Sequence, residues 1–247
     1  MNRNLWTVAQ IGAREHYAVA RGLHRHGALN RLYTDLWCDT LRPVAERLPD
    51  PLYSLSNRYH PEIPTDRVHD FMGWALASDL RFRLTGSDSD HARFDYHLNK
   101  GSAFARRVRD HLLDAPSNPK RSVFFGYDTG SLEVLTALRS TEWVTVVDQI
   151  DPGRAEKQLV LEETGLWPGW ATSAPVLHDA YDDRRRQEWE QADIVVVNSA
   201  WSREALQQQG VPGDKIHIVP LAYEPPSHVD PLPAAPNPSR RDPFRIL

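Results

Sequence analysis

The sequence predicts an α/β protein whose parallel sheet carries helices on both faces. Six short segments are β-branched or aromatic and almost continuously apolar, which is typical of parallel strands buried on both faces. Helical patterns lie between most of these segments. Strands that alternate with helices at this spacing indicate βαβ units and a mostly parallel sheet.

The elements can be placed along the chain from these patterns. The predicted strands are the short apolar segments Leu5–Ala9, Arg31–Thr34, Ser122–Gly126, Trp143–Val147, Ile194–Val197 and Ile216–Val219. The predicted helices carry apolar residues at helical spacing and are Ala13–His26, Leu132–Arg139, Leu177–Gln191 and Ser202–Gln209. Gly27 and Gly210 follow two of these helices, where glycine is a typical stop.

Residues 38–114 do not follow this alternation. They contain two predicted helices, Asp66–Leu84 and Ala92–Leu113. The first helix has an apolar face, which includes Phe71 and Trp74 and needs a covering surface. We interpret the segment as a mainly helical insertion after the second strand.

The composition is that of an ordinary globular protein and excludes several classes. The 247 residues carry 29 Lys and Arg against 33 Asp and Glu, a formal net charge of −4. No apolar run is long enough for a transmembrane helix or a secretory signal, so we expect a cytoplasmic protein. The single cysteine, Cys38, excludes a disulfide framework and a cysteine-rich zinc site, and we expect no metal. Mild acidity without a basic run argues against nucleic acid as the main partner.

The first candidate ligand site is the loop between the first predicted strand and the first predicted helix. Gly12 would let a ligand approach the backbone, and Glu15 and His16 follow it. Ligands of parallel sheets lie beyond the carboxyl ends of the strands, and a helix N-terminus favours phosphate. A tight turn without a ligand explains the pattern equally well, because one glycine is not a dinucleotide-binding fingerprint.

Two carboxylates follow the fourth predicted strand. Asp148 and Asp151 could bind sugar hydroxyls or act as an acid and a base. Asp151 could equally be the N-cap of a helix that has Pro152 in its first turn. Asp148 is therefore the stronger candidate for a catalytic residue.

Two further strand ends carry polar side chains. Asp128 and Thr129 follow the third predicted strand, and the favoured role of one of them is to cap the next helix, which is compatible with ligand contact. Asn198 and Ser199 follow the fifth strand, where a helix start alone explains them. The basic residues 184–186 lie in an acidic helix, and we interpret them as a solvent-exposed face.

Two runs near the C-terminus resemble a known family. Residues 192–203 read ADIVVVNSAWSR, and residues 209–220 read QGVPGDKIHIVP. Both strongly resemble the end of the N-terminal domain of family 4, or group 1, glycosyltransferases, which are retaining enzymes of GT-B fold. Residues 12–27 resemble the opening loop and first helix of that family. The resemblance does not extend to residues 38–114.

The resemblance implies two Rossmann-like domains that face each other across a cleft. The N-terminal domain would bind mainly the acceptor, and the C-terminal domain would bind most of the nucleotide-sugar donor. The loop at Gly12 would reach the diphosphate of the donor. Asp148 stands where many members have a histidine near the transferred sugar. The expected reaction moves a sugar from a UDP- or GDP-sugar to an acceptor hydroxyl, with no cofactor besides the donor substrate and no metal.

The same resemblance suggests a division of the chain. Residues 1–224 would form the Rossmann-like, acceptor-side domain, and the proline-rich residues 225–243 would form an interdomain linker. Residues 244–247 would begin a donor-binding C-terminal domain that is missing from this chain. The isolated chain is then expected to transfer no sugar.

Three alternatives stay open at this point. A nucleotide-sugar epimerase or phosphorylase could use the same two-domain scaffold. A non-catalytic module could bind a glycan or a partner protein, with Trp167 and Trp170 on its surface. A dinucleotide-dependent oxidoreductase is disfavoured, because its glycine fingerprint is missing. The segment 38–114 would contact the acceptor or a membrane surface.

Overall fold

A parallel sheet of seven strands organises the computed structural model, which describes residues 4–39, 53–86, 89–114, 122–169 and 176–221. The strands, in chain order from β1 to β7, are Leu5–Gln10, Leu29–Thr34, Val68–Asp70, Ser122–Tyr127, Val144–Asp148, Ile194–Val197 and Ile216–Ile218. They lie in the order β3-β2-β1-β4-β5-β6-β7, and each neighbouring pair is parallel. The predicted fold class is confirmed.

Helices connect these strands. In chain order from α1 to α7 they are Ala18–Arg25, Met72–Thr85, Asp90–Asp114, Leu132–Leu138, Arg154–Leu166, Asp179–Gln191 and Ala200–Gln208. The predicted boundaries of α4, α6 and α7 agree with the structure to within two residues at each end. The sequence patterns did not predict α5, because it buries no side chain and so has no apolar stripe of its own.

Each face of the sheet has its own core. Val8 and Phe125 belong to one core, whereas their neighbours Ala9 and Phe124 belong to the other. Helices α3, α4, α6 and α7 pack on the face of Ala9, whereas α1 packs on the face of Val8. Because both faces are covered, all six residues of β4 are buried. This double burial explains the continuous apolar runs in the sequence.

The prediction of a mainly helical insertion at residues 38–114 was wrong in part. Val68–Asp70 forms strand β3, which pairs with β2 at the edge of the sheet, where the sequence predicted the helix Asp66–Leu84. Helix α3 then packs on the sheet and buries Phe104 in the core. The segment therefore supplies a strand and a crossover helix of the fold itself. The sequence does not predict β3, because its three half-buried residues form no apolar run.

The direction of the connections reverses between β1 and β4. From β1 the chain proceeds outward to β2 and β3, and it then crosses back to β4 and proceeds outward the other way. The loops after β1 and β4 therefore leave in opposite directions and open a crevice between them. This switch point, at the carboxyl edge, is where ligands bind in open α/β sheets.

Some expectations concern residues outside this description. The suggested linker at 225–243, the suggested strand at 244–247 and Trp170 all lie beyond the described ranges. Within those ranges, none of the helices has the length and apolarity that a membrane crossing requires.

Candidate functional site

A small cleft, with room for about one water molecule, lies at the switch point between the carboxyl ends of β1 and β4. Gln10, Ile11 and Arg14 line it on the β1 side, and residues 127–130 line it on the β4 side. Phe104 of α3 also contributes to the lining. Two of the loops that the sequence indicated as ligand loops therefore form the walls of one cleft.

Two lining residues carry buried polar atoms that have no hydrogen-bond partner in the described part of the chain. These atoms are Oε1 of Gln10 and the hydroxyl of Tyr127. Nε2 of Gln10 donates to the Gly12 carbonyl oxygen at 2.8 Å. Burial raises the pKa of Tyr127, so its hydroxyl keeps its proton and can donate. Because buried polar atoms are nearly always paired, the two atoms are suited to bind a ligand or a water molecule.

Asp148 is the last residue of β5 and pairs with Tyr127 of β4. Burial of its carboxyl raises the pKa of Asp148 to about 7. The charges of Glu15 and Asp128 contribute to this rise, whereas the Arg14 guanidinium opposes it. A carboxyl that titrates near neutral pH can both donate and accept a proton there. The environment of Asp148 is therefore consistent with acid–base chemistry.

The loop after β1 is strained where the sequence predicted a regular helix from Ala13. Three successive non-glycine residues, Glu15, His16 and Tyr17, have φ values of 49°, 48° and 62°. The left-handed region is unfavourable for such residues, and strain of this kind is found mostly at functional sites. Tyr17 is buried against α1 and Trp37, which helps hold the turn, while Glu15 and His16 are exposed.

Gly12 occupies a position that requires glycine. Its φ is +84°, and a Cβ atom there would lie 3.0 Å from the Arg58 guanidinium. Its N–H donates to Oδ1 of Asp35 at 2.8 Å, so this amide is already engaged. Asp35 also forms two ion pairs. Its Oδ1 lies 3.3 Å from the Arg58 guanidinium, and its Oδ2 lies 3.7 Å from Nζ of Lys100. The loop is therefore held by a buried carboxylate, and contact of Gly12 with a donor phosphate stays a prediction.

The favoured capping role of Asp128 is not observed. The carboxylate of Asp128 is buried and accepts from Nε of Arg185 at 2.9 Å and from Nε2 of Gln149 at 3.3 Å. Arg185 is itself buried and also pairs with Asp151. The interpretation of residues 184–186 as a solvent-exposed face was therefore wrong for Arg184 and Arg185, although Arg186 is exposed.

Thr129 does not cap α4 with its side chain either. Helix α4 begins after Ser131, whose side chain makes no capping hydrogen bond. The N–H groups of Thr129, Ser131 and Leu132 instead donate to the carboxylate of Glu188, at 2.5, 2.9 and 3.0 Å. Thr129 has a φ of 65°, and its carbonyl oxygen accepts from Nε of Arg184 at 2.7 Å. Two charged side chains of α6 therefore fix the turn that forms one wall of the cleft.

The side chains of the remaining candidates form hydrogen bonds with backbone groups. Asp151 is not an N-cap, because Gly153 precedes the first residue of α5; its Oδ1 accepts from the Gly153 N–H at 2.7 Å. Ser199 is the N-cap of α7, and its Oγ accepts from the Ser202 N–H at 3.1 Å. Asn198 donates to the carbonyl oxygen of Ile150 at 3.3 Å. Contacts of these residues with a substrate stay predictions.

The fold brings three of the candidates together. Glu15, Asp128 and Asp148 are close enough for their charges to interact, with Arg14 among them. Sequence reasoning missed the other charged partner, Arg185, because a basic triplet in a charged helix looks like a solvated face. Within the described ranges, no group of three His, Cys, Asp or Glu side chains could hold a metal ion.

Comparisons with known proteins give a similarity in fold. No family model matches the chain, and no curated protein matches it. Among solved structures it is similar to two proteins described as UDP-N-acetylglucosamine 2-epimerases, from Listeria monocytogenes and Rickettsia bellii. Sequence identity is 11% and 12%, the TM-score is 0.41 for both, and 87% of this chain is covered. The chain spans 44% of the length of each of these proteins.

Proposed function

We propose that this chain is the acceptor-side half of an enzyme that processes nucleotide sugars, and that Asp148 is its acid–base residue. One observation carries the proposal: a carboxyl whose pKa is raised to about 7 interacts with the charges of Glu15 and Arg14 and ends the strand that pairs with β4, next to the cleft. Perturbed carboxyls in such clefts are frequent in active sites. The resemblance of residues 192–220 to group 1 glycosyltransferases supplies the class of substrate.

The reaction that fits best is transfer of a sugar from a UDP- or GDP-sugar to an acceptor hydroxyl. The ionised carboxylate of Asp148 would accept the hydroxyl proton while the hydroxyl oxygen bonds to the anomeric carbon. The bond between that carbon and the donor phosphate breaks, and the nucleoside diphosphate leaves with the electron pair. Arg14 brings a positive charge to the cleft, which would stabilise a phosphate-bearing group.

Epimerisation of a nucleotide sugar is the second candidate. The carboxylate of Asp148 would take the proton from C2 of the sugar, the C–H electron pair would form a C1–C2 double bond, and the nucleoside diphosphate would leave C1 with the electron pair of the C–O bond. After the sugar turns over, the carboxylic acid would return a proton to the opposite face of C2 as the diphosphate bonds again to C1. The raised pKa favours this role, because acid and conjugate base are both populated near neutral pH. Epimerisation needs no acceptor, and this difference separates the two candidates.

Product analysis by NMR distinguishes these reactions. The complete native protein is incubated with UDP- and GDP-sugars, in the presence and absence of acceptor sugars. A glycosylated acceptor and free nucleoside diphosphate, formed only when an acceptor is present, support transfer. An isomerised sugar formed without an acceptor supports epimerisation. If the complete protein converts no nucleotide sugar, the proposed function is wrong.

Replacement of Asp148 tests the assigned role. We expect Asp148→Asn to lower kcat at least about 100-fold, because an amide cannot accept a proton, while nucleotide-sugar affinity stays within about threefold. The wild-type rate should rise with pH through about 7, the pKa of Asp148. Asp183→Asn, at an exposed position of α6, is the matched control and should retain the wild-type rate. An unchanged rate in Asp148→Asn would remove Asp148 from the active site.

A further inference from the structure

One side of α2 is apolar and exposed to solvent. Leu76, Leu80 and Leu84 are 45%, 58% and 76% exposed, and their spacing of four residues places them in one row along the helix. Gly73 and Ala77 are exposed on the same side. We call these five residues the leucine stripe. Exposed apolar side chains are normal when scattered singly, whereas a contiguous row indicates a surface that meets another molecule or phase.

The opposite side of α2 holds the helix to the fold. Ala75 is buried there, and the ring of Phe82 stacks on Tyr96 of α3 with 4.1 Å between ring centres. Oδ1 of Asp79 accepts from Nζ of Lys100 in α3 at 2.6 Å. The leucine stripe is therefore not needed to pack α2 against its neighbours.

Two arginines border the leucine stripe, one on each side. At 100° per residue, Arg83 lies about 20° to one side of Leu76, and Arg81 lies about 60° beyond Leu84 on the other. Both arginines are exposed. Neither guanidinium forms an ion pair with any residue in the described part of the chain. Because Asp79, the acid of this helix, is neutralised by Lys100, the exposed surface of α2 is positively charged.

We propose that the leucine stripe is a docking surface for an anionic lipid bilayer. The other side of α2 packs on the protein, so only its exposed row would meet the bilayer, with the leucines among the acyl chains and the flanking arginines at the lipid phosphates. The charge of the two arginines complements an anionic leaflet, in which each nearby basic residue strengthens binding. The exposed arginines favour lipid headgroups over a purely apolar protein groove.

The position of α2 places this surface beside the carboxyl edge of the sheet. The helix starts at Met72, two residues after β3 ends. Its Asp79 contacts Lys100, which lies 3.7 Å from Asp35, and Asp35 accepts the N–H of Gly12. A chain docked through the leucine stripe would thus hold its cleft close to the bilayer. The docking itself does not depend on the proposed function.

Co-sedimentation with vesicles tests the docking surface. We use the purified 247-residue chain with vesicles of phosphatidylcholine alone and of phosphatidylcholine mixed with phosphatidylglycerol. The wild type should sediment with the mixed vesicles and bind phosphatidylcholine vesicles several-fold more weakly. Changing Leu76, Leu80 and Leu84 together to Ser should lower binding at least about tenfold, because all three apolar insertions are lost.

Two further variants separate the contributions. Arg81→Ala with Arg83→Ala should remove the preference for anionic vesicles and the sensitivity of binding to salt. Leu159→Ser with Leu166→Ser, at exposed positions of α5, is the matched control and should bind as the wild type does. Since each changed side chain is exposed, the variants should keep the wild-type circular dichroism spectrum.

Three outcomes would overturn the proposal. The first is a wild type that does not sediment with anionic vesicles. The second is a triple serine variant that binds them as well as the wild type does. The third is a concentration-dependent dimer, seen by analytical ultracentrifugation without lipid, that the triple serine variant abolishes while neither protein binds vesicles. That result would make the leucine stripe a contact between two copies of this chain.

Discussion

Glu188 shows how one buried side chain can shape the cleft. It is fully buried on α6, and its carboxylate accepts three backbone N–H groups of the turn between β4 and α4. Burial, with the charge of Asp128, raises the pKa of Glu188 to about 7, while Arg184 and the N–H groups of Ser131 and Thr129 counter the shift. The carboxylate takes the place of a local N-cap and keeps Thr129 in its left-handed conformation. Glu188 is therefore a positioning residue for one wall of the cleft.

Exchange of this carboxylate for an amide should be costly. We expect Glu188→Gln to lower the free energy of unfolding by about 2–3 kcal/mol, because the amide NH₂ would face a backbone N–H that loses its acceptor. Glu190→Gln, at an exposed position of the same helix, should change it by less than about 0.5 kcal/mol. Urea unfolding followed by circular dichroism measures both. Equal stability of the Glu188→Gln variant and the wild type would contradict the capping role.

Asp148 should leave a pH-dependent signature on stability. Its pKa rises from 3.8 to about 7 on folding, so the folded chain retains a proton between these values that the unfolded chain has lost. The carboxyl therefore lowers the free energy of unfolding progressively as pH rises from about 4 to about 7. Asp148→Asn should be about 1–3 kcal/mol more stable than the wild type at pH 8, and the difference should vanish near pH 4. Urea unfolding across this pH range is the measurement, and a difference that does not vary with pH would be the contrary result.

At the scale of elements, α3 and the turn after β4 approach so closely that they exclude a side chain. A Cβ atom at Gly101 of α3 would lie 2.3 Å from the carbonyl oxygen of Thr129. Gly22 in α1 is different, since nothing lies within 4 Å of a Cβ atom there. The long helix after β3 can therefore rest on the cleft wall only because a glycine stands at the crossing point.

The two glycines allow a matched comparison. Gly101→Ala should destabilise the protein by about 1–3 kcal/mol, because the backbone at Thr129 must shift to admit the methyl group. Gly22→Ala should be neutral or should stabilise it by up to about 1 kcal/mol, because alanine lowers the entropy of the unfolded helix segment. Thermal unfolding of both variants tests the prediction. If Gly101→Ala is as stable as Gly22→Ala, the close approach does not constrain the fold.

At the scale of the molecule, burial decreases from the centre of the sheet to its edges, and we expect local stability to decrease with it. The central strand β4 is buried in all six residues, whereas the edge strands β3 and β7 have three residues each and are only partly buried. The switch-point cleft lies next to the most buried strands. A rigid centre therefore supports the cleft, and the edges contribute less to its geometry.

Hydrogen exchange should report this gradient. Amide protons of β1 and β4 should exchange only through opening close to global unfolding, while those of β3 and β7 should exchange at least about 100-fold faster through local opening. Mass spectrometry of exchanged peptides can resolve the strands. If β3 or β7 is as protected as β4, the gradient is absent, and the edges must be covered by something else.

The fold class could be predicted because it depends on local patterns. Double-sided burial demands continuous apolar runs, and all six predicted strands begin and end within two residues of strands in the structure. The loops after β1, β4 and β5 could be named as ligand loops because parallel strands end at one edge. Asp148 was selected on this basis, and its catalytic role stays a prediction.

The tertiary structure alone decided the rest. Arg184, Arg185 and Glu188 have the charges of surface residues, and only the pairing of α6 with the turn after β4 makes their burial favourable. The left-handed turn at residues 15–17 contains no glycine, so the sequence does not predict it. The sequence by itself determined six of the seven strands and where a site could lie, because an apolar run and the end of a strand are local properties. Which charges meet at that site depended on long-range contacts that no local pattern encodes.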